Sequence, residues 1–182
     1  MAAVTKWSTR NVGTVDASPD RVRAWWSHSD RKEEWDRLQR NGTIEFSKSE
    51  ATTDGVFVQT TRFKDGRGWI HEARHEVPIG ADGKNLPSED GSFPHKKQVI
   101  FTGPRGHTVM TLTCTGSLQF VEKAGGTEVI ETHDQEVTGG IRPWRQRMRR
   151  SHGEGKARIF EDEIDRCQTA LANANGAGLS EK

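Results

Sequence analysis

Between Thr43 and Val137 the chain alternates apolar and polar residues in short runs. Each run is closed by a turn signal: Asp54-Gly55, Asp65-Gly66, Ala81-Asp82-Gly83, Gly103-Pro104 and Gly125-Gly126. Tight turns join antiparallel neighbours, so this stretch predicts an antiparallel meander. Its clearest strand is 107–121. There Met110, Leu112, Cys114, Gly116, Leu118 and Phe120 share one face, and Val109, Thr111, Thr113, Thr115, Ser117 and Gln119 share the other. One side of the sheet is therefore buried and the other wet. The segment from Pro78 to Pro94, rich in Gly, Asp, Ser and Pro, is long enough for a flexible flap or a disordered excursion.

Helical signals flank the meander. Lys6 to Asp16 reads as a first strand, and Ser18-Pro19-Asp20 then supplies a cap, a proline for the first helical position and an acid in the first turn. Val22, Trp25 and Trp26 form one apolar stripe of a short helix. Asp30 and Glu33 resemble a capping box for a second short helix through Trp35 and Leu38, ending by Asn41-Gly42. After Gly139-Gly140 a long helix is predicted, with Pro143 in its first turn and its end near Ala172. Phe160, Ile164, Cys167 and Leu171 make its apolar stripe. Towards the N-terminus the same side carries Ile159, Gly155, His152 or Ser151, Met148 and Trp144. Small and polar residues thus stand where a plain core would want Leu or Ile. Residues 1–172 are read as one domain and 173–182 as a disordered tail.

Composition excludes several classes. Apolar residues are 31% of 182, but Lys plus Arg (27) balances Asp plus Glu (26), and six tryptophans supply large apolar area, so the chain should fold. No apolar run approaches the ~18–20 residues that span a bilayer, and no signal-peptide pattern opens the chain. The expectation is a cytoplasmic protein with no membrane insertion. Two cysteines, Cys114 and Cys167, cannot build a disulfide framework or a four-thiolate zinc site and are read as small buried hydrophobes.

A strand, two short helices, a meander of about six strands and one long C-terminal helix follow the order of the helix-grip fold. The chain resembles the SRPBCC superfamily of START-like lipid carriers, plant allergen-type ligand binders and polyketide cyclase/dehydrase-like bacterial proteins. The residues carrying the resemblance are Val15-Asp-Ala-Ser-Pro-Asp-Arg-Val-Arg-Ala-Trp25-Trp26, Glu34-Trp35 and the Gly139-Gly140 junction before the long helix. The pattern Ala-Ser-Pro-x-x-Val-x-x-x-Trp is also similar to bacterial relatives of the heat-shock ATPase activator domain. The resemblance implies an α+β fold in which a curved antiparallel sheet of about seven strands wraps the long helix, with the two short helices between strands 1 and 2. It also implies a cavity between sheet and helix.

His71-Glu72-Ala73-Arg74-His75 matches H-E-x-x-H. On a helix the two histidines could hold zinc, with the glutamate as general base of a hydrolase. On a strand they share a face but stand about 13 Å apart, too far to chelate one ion. The short apolar stretch between Gly68 and Pro78 favours the strand. It would set Trp69, His71, Ala73, His75 and Val77 on the concave face, an aromatic ring and two titratable donors suited to a flat ligand with carbonyl or hydroxyl groups. The alternative is a wet face beside Glu128 or Glu131. Five arginines, Arg142, Arg145, Arg147, Arg149 and Arg150, could meet phosphate, RNA or an anionic surface, or simply form a solvated helix face. Without interleaved aromatics they argue against nucleic acid.

The sequence thus predicts binding of a small hydrophobic or aromatic ligand, lipid- or polyketide-like, by Trp69, His71, His75, Met110, Leu112, Trp144, Met148 and His152, with no metal and no cofactor. Carrier and cyclase remain alternatives, the latter passing protons through His71, His75 or His152. A partner-binding module of the heat-shock activator type would use the sheet exterior instead.

Overall fold

A computed structural model describes residues 3–27, 44–64 and 68–177. Strand β1 (Val4–Val15) leads into helix α1 (Pro19–Ser27). The meander comprises β2 (Ile44–Ala51), β3 (Val56–Lys64), β4 (Ile70–Pro78), β5 (Phe93–Thr102), β6 (Thr108–Lys123) and β7 (Gly126–Gly139), and helix α2 (Arg142–Ala177) closes the chain. The second short helix read from Asp30 to Leu38 lies outside the described residues. All seven strands form one antiparallel sheet in the order β1-β7-β6-β5-β4-β3-β2. The last strand therefore returns beside the first.

Two local features depart from the sequence reading. The β4–β5 connection is hydrogen-bonded rather than an open excursion: Leu86 N donates to Pro78 O (3.0 Å), Gly80 N to Lys84 O (2.8 Å) and Ser88 N to Ser92 O (2.7 Å). Its polar composition satisfies the backbone through two local turns, with Asp82 and Asp90 accepting from the amides of Lys84 and Ser92. Helix α2 continues past Ala172 to Ala177, because Ala172 and Ala174 favour helix after the apolar stripe has ended.

The β7–α2 corner is fixed by an arginine. Gly139 and Gly140 take φ of 77° and 62°, which suits residues without a Cβ. Arg145, buried in the first turns of α2, donates from Nη1 to the Gly139 and Gly140 carbonyls (3.2 and 2.6 Å) and from Nε to Thr5 Oγ1 (3.3 Å). The other four arginines of the run, Arg142, Arg147, Arg149 and Arg150, are exposed. One member of the apparent charge patch is thus a structural latch.

Register turns the inward residues into rungs that cross the sheet from β1 towards β3. One rung runs Thr5, Val137, Leu112, Val99, Ala73 and Thr61, and the outer one beside it runs Gly139, Met110, Phe101, His71 and Phe63. With Trp7, these hold the first apolar cluster, against which Met148 of α2 packs. At the other end Val15, Val22, Val129, Phe160 and Cys167 form a second cluster, joined by Trp26, Ile164 and Leu171. Trp26 meets Phe120 and Phe160 at ring separations of 6.0 and 6.4 Å, which seats α1 on this end. Two apolar clusters, not one, hold helix to sheet.

Candidate functional site

Polar rungs separate the clusters. The first runs Trp7, Gln135, Cys114, Lys97, His75 and Gln59; the second runs Thr9, His133, Gly116 and His95; the third begins with Asn11 and Glu131. Above them α2 presents His152 and Lys156. The helical stripe loses its apolar character at the level where the sheet does. Polar groups brought together away from water must be paired or functional.

His133 is the hub. Its Nε2 lies 2.9 Å from Glu131 Oε1, and the other Glu131 oxygen accepts from Asn11 Nδ2 at 2.9 Å. Its Nδ1 is approached by Cys114 Sγ at 3.3 Å, His95 Nε2 at 3.3 Å and Lys156 Nζ at 3.2 Å. Lys156 Nζ is also 3.0 Å from Nε2, so the amine sits beside the ring between its two nitrogens. His95 continues the chain to His75, their rings 5.7 Å apart. Three imidazoles, an amine, a thiol and a carboxylate are thereby linked.

A glycine makes this possible. Gly116 lies between His95 and His133 in register, and a Cβ there would stand 2.5 Å from His133 Nδ1 and 2.7 Å from His95 Nε2. The missing side chain on β6 is the gap through which β5 and β7 bring their rings together.

The environment separates the protonation states. Burial, the His133, His75 and Lys156 charges together push His95 down to about 3. Burial with Lys97 and Lys156 pushes His152 down to about 4. Both are neutral imidazoles at pH 7. Burial also opposes the charged forms of Glu131 and His133, yet their mutual hydrogen bond and attraction prevail. Glu131, with help from Lys156 and Asn11, is held down at about 2, and His133 is raised above the ordinary histidine range, with Cys114 contributing. Cys114 is thus part of a polar network rather than a plain hydrophobe; Cys167 in the second cluster fits that description, burial pushing its thiol up to about 11.

Two buried polar atoms of the band are unmet among the described residues. Trp7 Nε1 and Gln135 Oε1 are buried side by side on the first polar rung and find no hydrogen-bond partner among them. Such orphans cost about 1–3 kcal/mol each unless water or a ligand meets them. On α2, a Cβ added at Gly153 or Gly155 would meet no atom within 4 Å.

The sequence-predicted residues fall in three places. His75 and His152 join the polar band. His71 lies four residues, two rungs, away on β4 with its ring 4.9 Å from Phe101, and Met110, Leu112 and Met148 belong to the apolar cluster beside it. Trp69 and Trp144 meet edge to face at 5.7 Å near the start of α2, with Trp144 43% exposed. The H-E-x-x-H segment is strand β4, with both histidines on its concave face, and no cluster of three or more His, Cys, Asp or Glu placed to hold a metal occurs among the described residues. His95, His133, Glu131, Cys114 and Lys156 were not singled out as a site from sequence. For His95, Glu131 and His133 the signal was polar residues at inward positions of β5 and β7, bracketed by Phe93 and Phe101 and by Val129 and Val137. A separate groove of about 490 Å³ lies on the outer face of β1, β7 and β6. Its charged groups are already paired, Lys6 with Glu136 and Asp134 with Ser8.

The same fold occurs in solved structures of low sequence identity. A structure of an uncharacterized protein from Rhizobium leguminosarum matches with a TM-score of 0.57 at 13% identity, over 95% of this chain and 99% of that one. One from Rhizobium loti gives 0.56 at 17%, over 87% and 95%. Norcoclaurine synthase from Thalictrum flavum gives 0.53 at 12%, over 92% and 88%. No protein-family model and no curated protein matches the chain. The architecture is the helix-grip α+β fold, as the element order suggested. Among the described residues no helix is long and apolar enough to cross a membrane.

Proposed function

We propose that this protein binds a small hydrophobic or aromatic molecule between the concave face of the sheet and α2, and that it does so in the cytoplasm, with Cys114 and Cys167 as free thiols. The observation that carries the reading is the polar band bracketed by two apolar clusters under one helix. Such an arrangement suits an apolar body with a few polar groups. In this reading Met110, Leu112 and Met148 form the apolar floor, His71, His75 and His152 the flanks, and Trp69 and Trp144 the mouth. The orphaned Trp7 N–H and Gln135 carbonyl supply a donor and an acceptor for the ligand's polar atoms. Norcoclaurine synthase, a fold neighbour, is by its name an enzyme of small-molecule chemistry.

The band can also move protons. Glu131 holds His133 Nε2–H, which leaves Nδ1 as the atom that accepts a proton when the ring is neutral and donates one when it is charged. That is the acid–base equipment a cyclase or dehydratase acting on a carbonyl compound requires. The test is a panel of aromatic polyketides and fatty acids screened by thermal shift, with product analysis of every binder. A rise in melting temperature that disappears in His133→Gln supports the site. Binders recovered chemically unchanged assign a carrier, and converted ones an enzyme. If no member of the panel raises the melting temperature, the reading fails and a partner-binding module takes its place.

A further inference from the structure

The polar band is unevenly charged. Lys156 reaches it from α2, and among the described residues its polar partners are the ring nitrogens of His133 (3.0 and 3.2 Å) and the Cys114 sulfur (3.9 Å). Among the described residues no carboxylate pairs with it directly, and its attraction to Glu131 acts from beside the His133 ring. The carboxylate of the band, Glu131, is engaged on both oxygens, one by His133 and the other by Asn11. An ammonium in a partly desolvated space with no carboxylate in direct contact among the described residues is under-compensated, and an anion brought by a ligand relieves it.

We infer that the ligand carries an acidic group, a carboxylate or an ionised phenol or enol, and that its anionic oxygen seats against Lys156 on the polar band. The inference rests on the ligand-binding reading above and names the chemical class it selects. Three features of the surroundings agree. The Trp7 N–H, orphaned and buried on the rung that also holds Cys114, is a second donor of the kind an oxyanion needs. His95 and His152, the neighbouring imidazoles, are held neutral chiefly by burial, and each also feels the positive charge of Lys156. The apolar clusters on either side leave the rest of the ligand uncharged. A neutral molecule of the same shape would leave the ammonium uncompensated and should bind less well.

The experiment compares 2-naphthoate with 2-naphthamide, equal in shape and different in charge, by isothermal titration against the full chain. The expected result is that the acid binds at least ~10-fold more tightly, the difference of about 1.4 kcal/mol expected of one well-placed charge-assisted contact. Lys156→Met should bring the two ligands within about twofold of each other, and Lys156→Arg, which keeps the charge, should retain a preference for the acid. Circular dichroism and a cooperative thermal melt check that Lys156→Met is folded. Equal affinities in the wild-type protein overturn the inference while leaving the binding reading intact. If neither compound binds while other members of the panel raise the melting temperature, the inferred acidic-aromatic class is overturned and the binding reading stands; if no panel member does, the binding reading fails as well. Should Lys156→Met keep the full preference, Lys156 is not the anion's partner and the assignment is wrong.

Discussion

Lowering the pH from 7 to 5 should destabilise the fold strongly, before most carboxylates titrate. His95 is held at about 3 and His152 at about 4 in the folded protein, against about 6.5 for a histidine in the unfolded chain. A folded pKa below the unfolded one means that the stability is fully present above 6.5 and is lost as pH falls. At pH 5 the unfolded chain has taken up nearly both protons and the folded one neither. Each histidine then costs roughly 2 kcal/mol relative to pH 7, about 4 kcal/mol for the pair. His133 works the other way. Its pKa is raised, so its contribution is complete below about 6.5 and is lost only as pH rises through its folded value. The clean readout is therefore a difference between proteins. Urea denaturation at pH 7, 6 and 5 should show that His152→Asn and His95→Asn each remove about 2 kcal/mol of the pH 7 to pH 5 loss. A wild-type midpoint that stays flat across this range, or variants that lose as much as the wild type, would refute the claim that these imidazoles are buried neutral.

Four further outcomes are expected. Glu131→Gln should cost about 3 kcal/mol at pH 7, because a carboxyl held at about 2 instead of its usual 4.5 stabilises the fold by that order; the penalty should shrink as pH falls from about 4.5 towards 2, measured by urea titration. Gly116→Ala should destabilise by about 1–3 kcal/mol, since its Cβ meets both imidazoles and the Thr132 carbonyl at 2.5–2.7 Å, and should perturb the His95 and His133 ring signals in NMR. Arg145→Met should cost about 2–3 kcal/mol through the lost bonds to Thr5, Gly139 and Gly140, whereas Arg149→Ala should change stability by less than about 0.5 kcal/mol in the same denaturation assay. Ile164→Ala should cost about 2–5 kcal/mol by truncating a side chain packed on the second cluster.

The elements were legible in sequence because each is announced locally. Ser18-Pro19 marks the start of α1, alternation along 107–121 marks both faces of β6, and the stripe from Phe160 to Leu171 marks the buried side of α2. The strand reading of His71 to His75 was reached from its short span between Gly68 and Pro78, and β4 occupies that span. The site was legible only in pieces. His75 and His152 could be named because each lies on a recognisable face, but their neighbours come from strands far apart in the chain. That His95 of β5 and His133 of β7 meet across Gly116 is a fact of register, and register is set by turns and bulges throughout the sheet. Periodicity assigns a residue to a face without assigning it to a rung. Arg145 was hidden for a similar reason: five arginines read alike along the chain, and only the corner at Gly139-Gly140 distinguishes the one whose donors meet carbonyls.

The central claim, that a ligand enters between the sheet and α2, can be tested on three methyl groups. The chain contains three methionines, Met1, Met110 and Met148. Met148 is partly buried against the first cluster on the helix that carries His152 and Lys156, and Met110 is buried within that cluster. With methyl-labelled methionine, addition of the ligand that raises the melting temperature most should shift the Met148 signal strongly, move Met110 less and leave Met1 unchanged. Saturable binding that leaves Met148 and Met110 unmoved would contradict the account and direct attention to the outer groove of β1, β7 and β6.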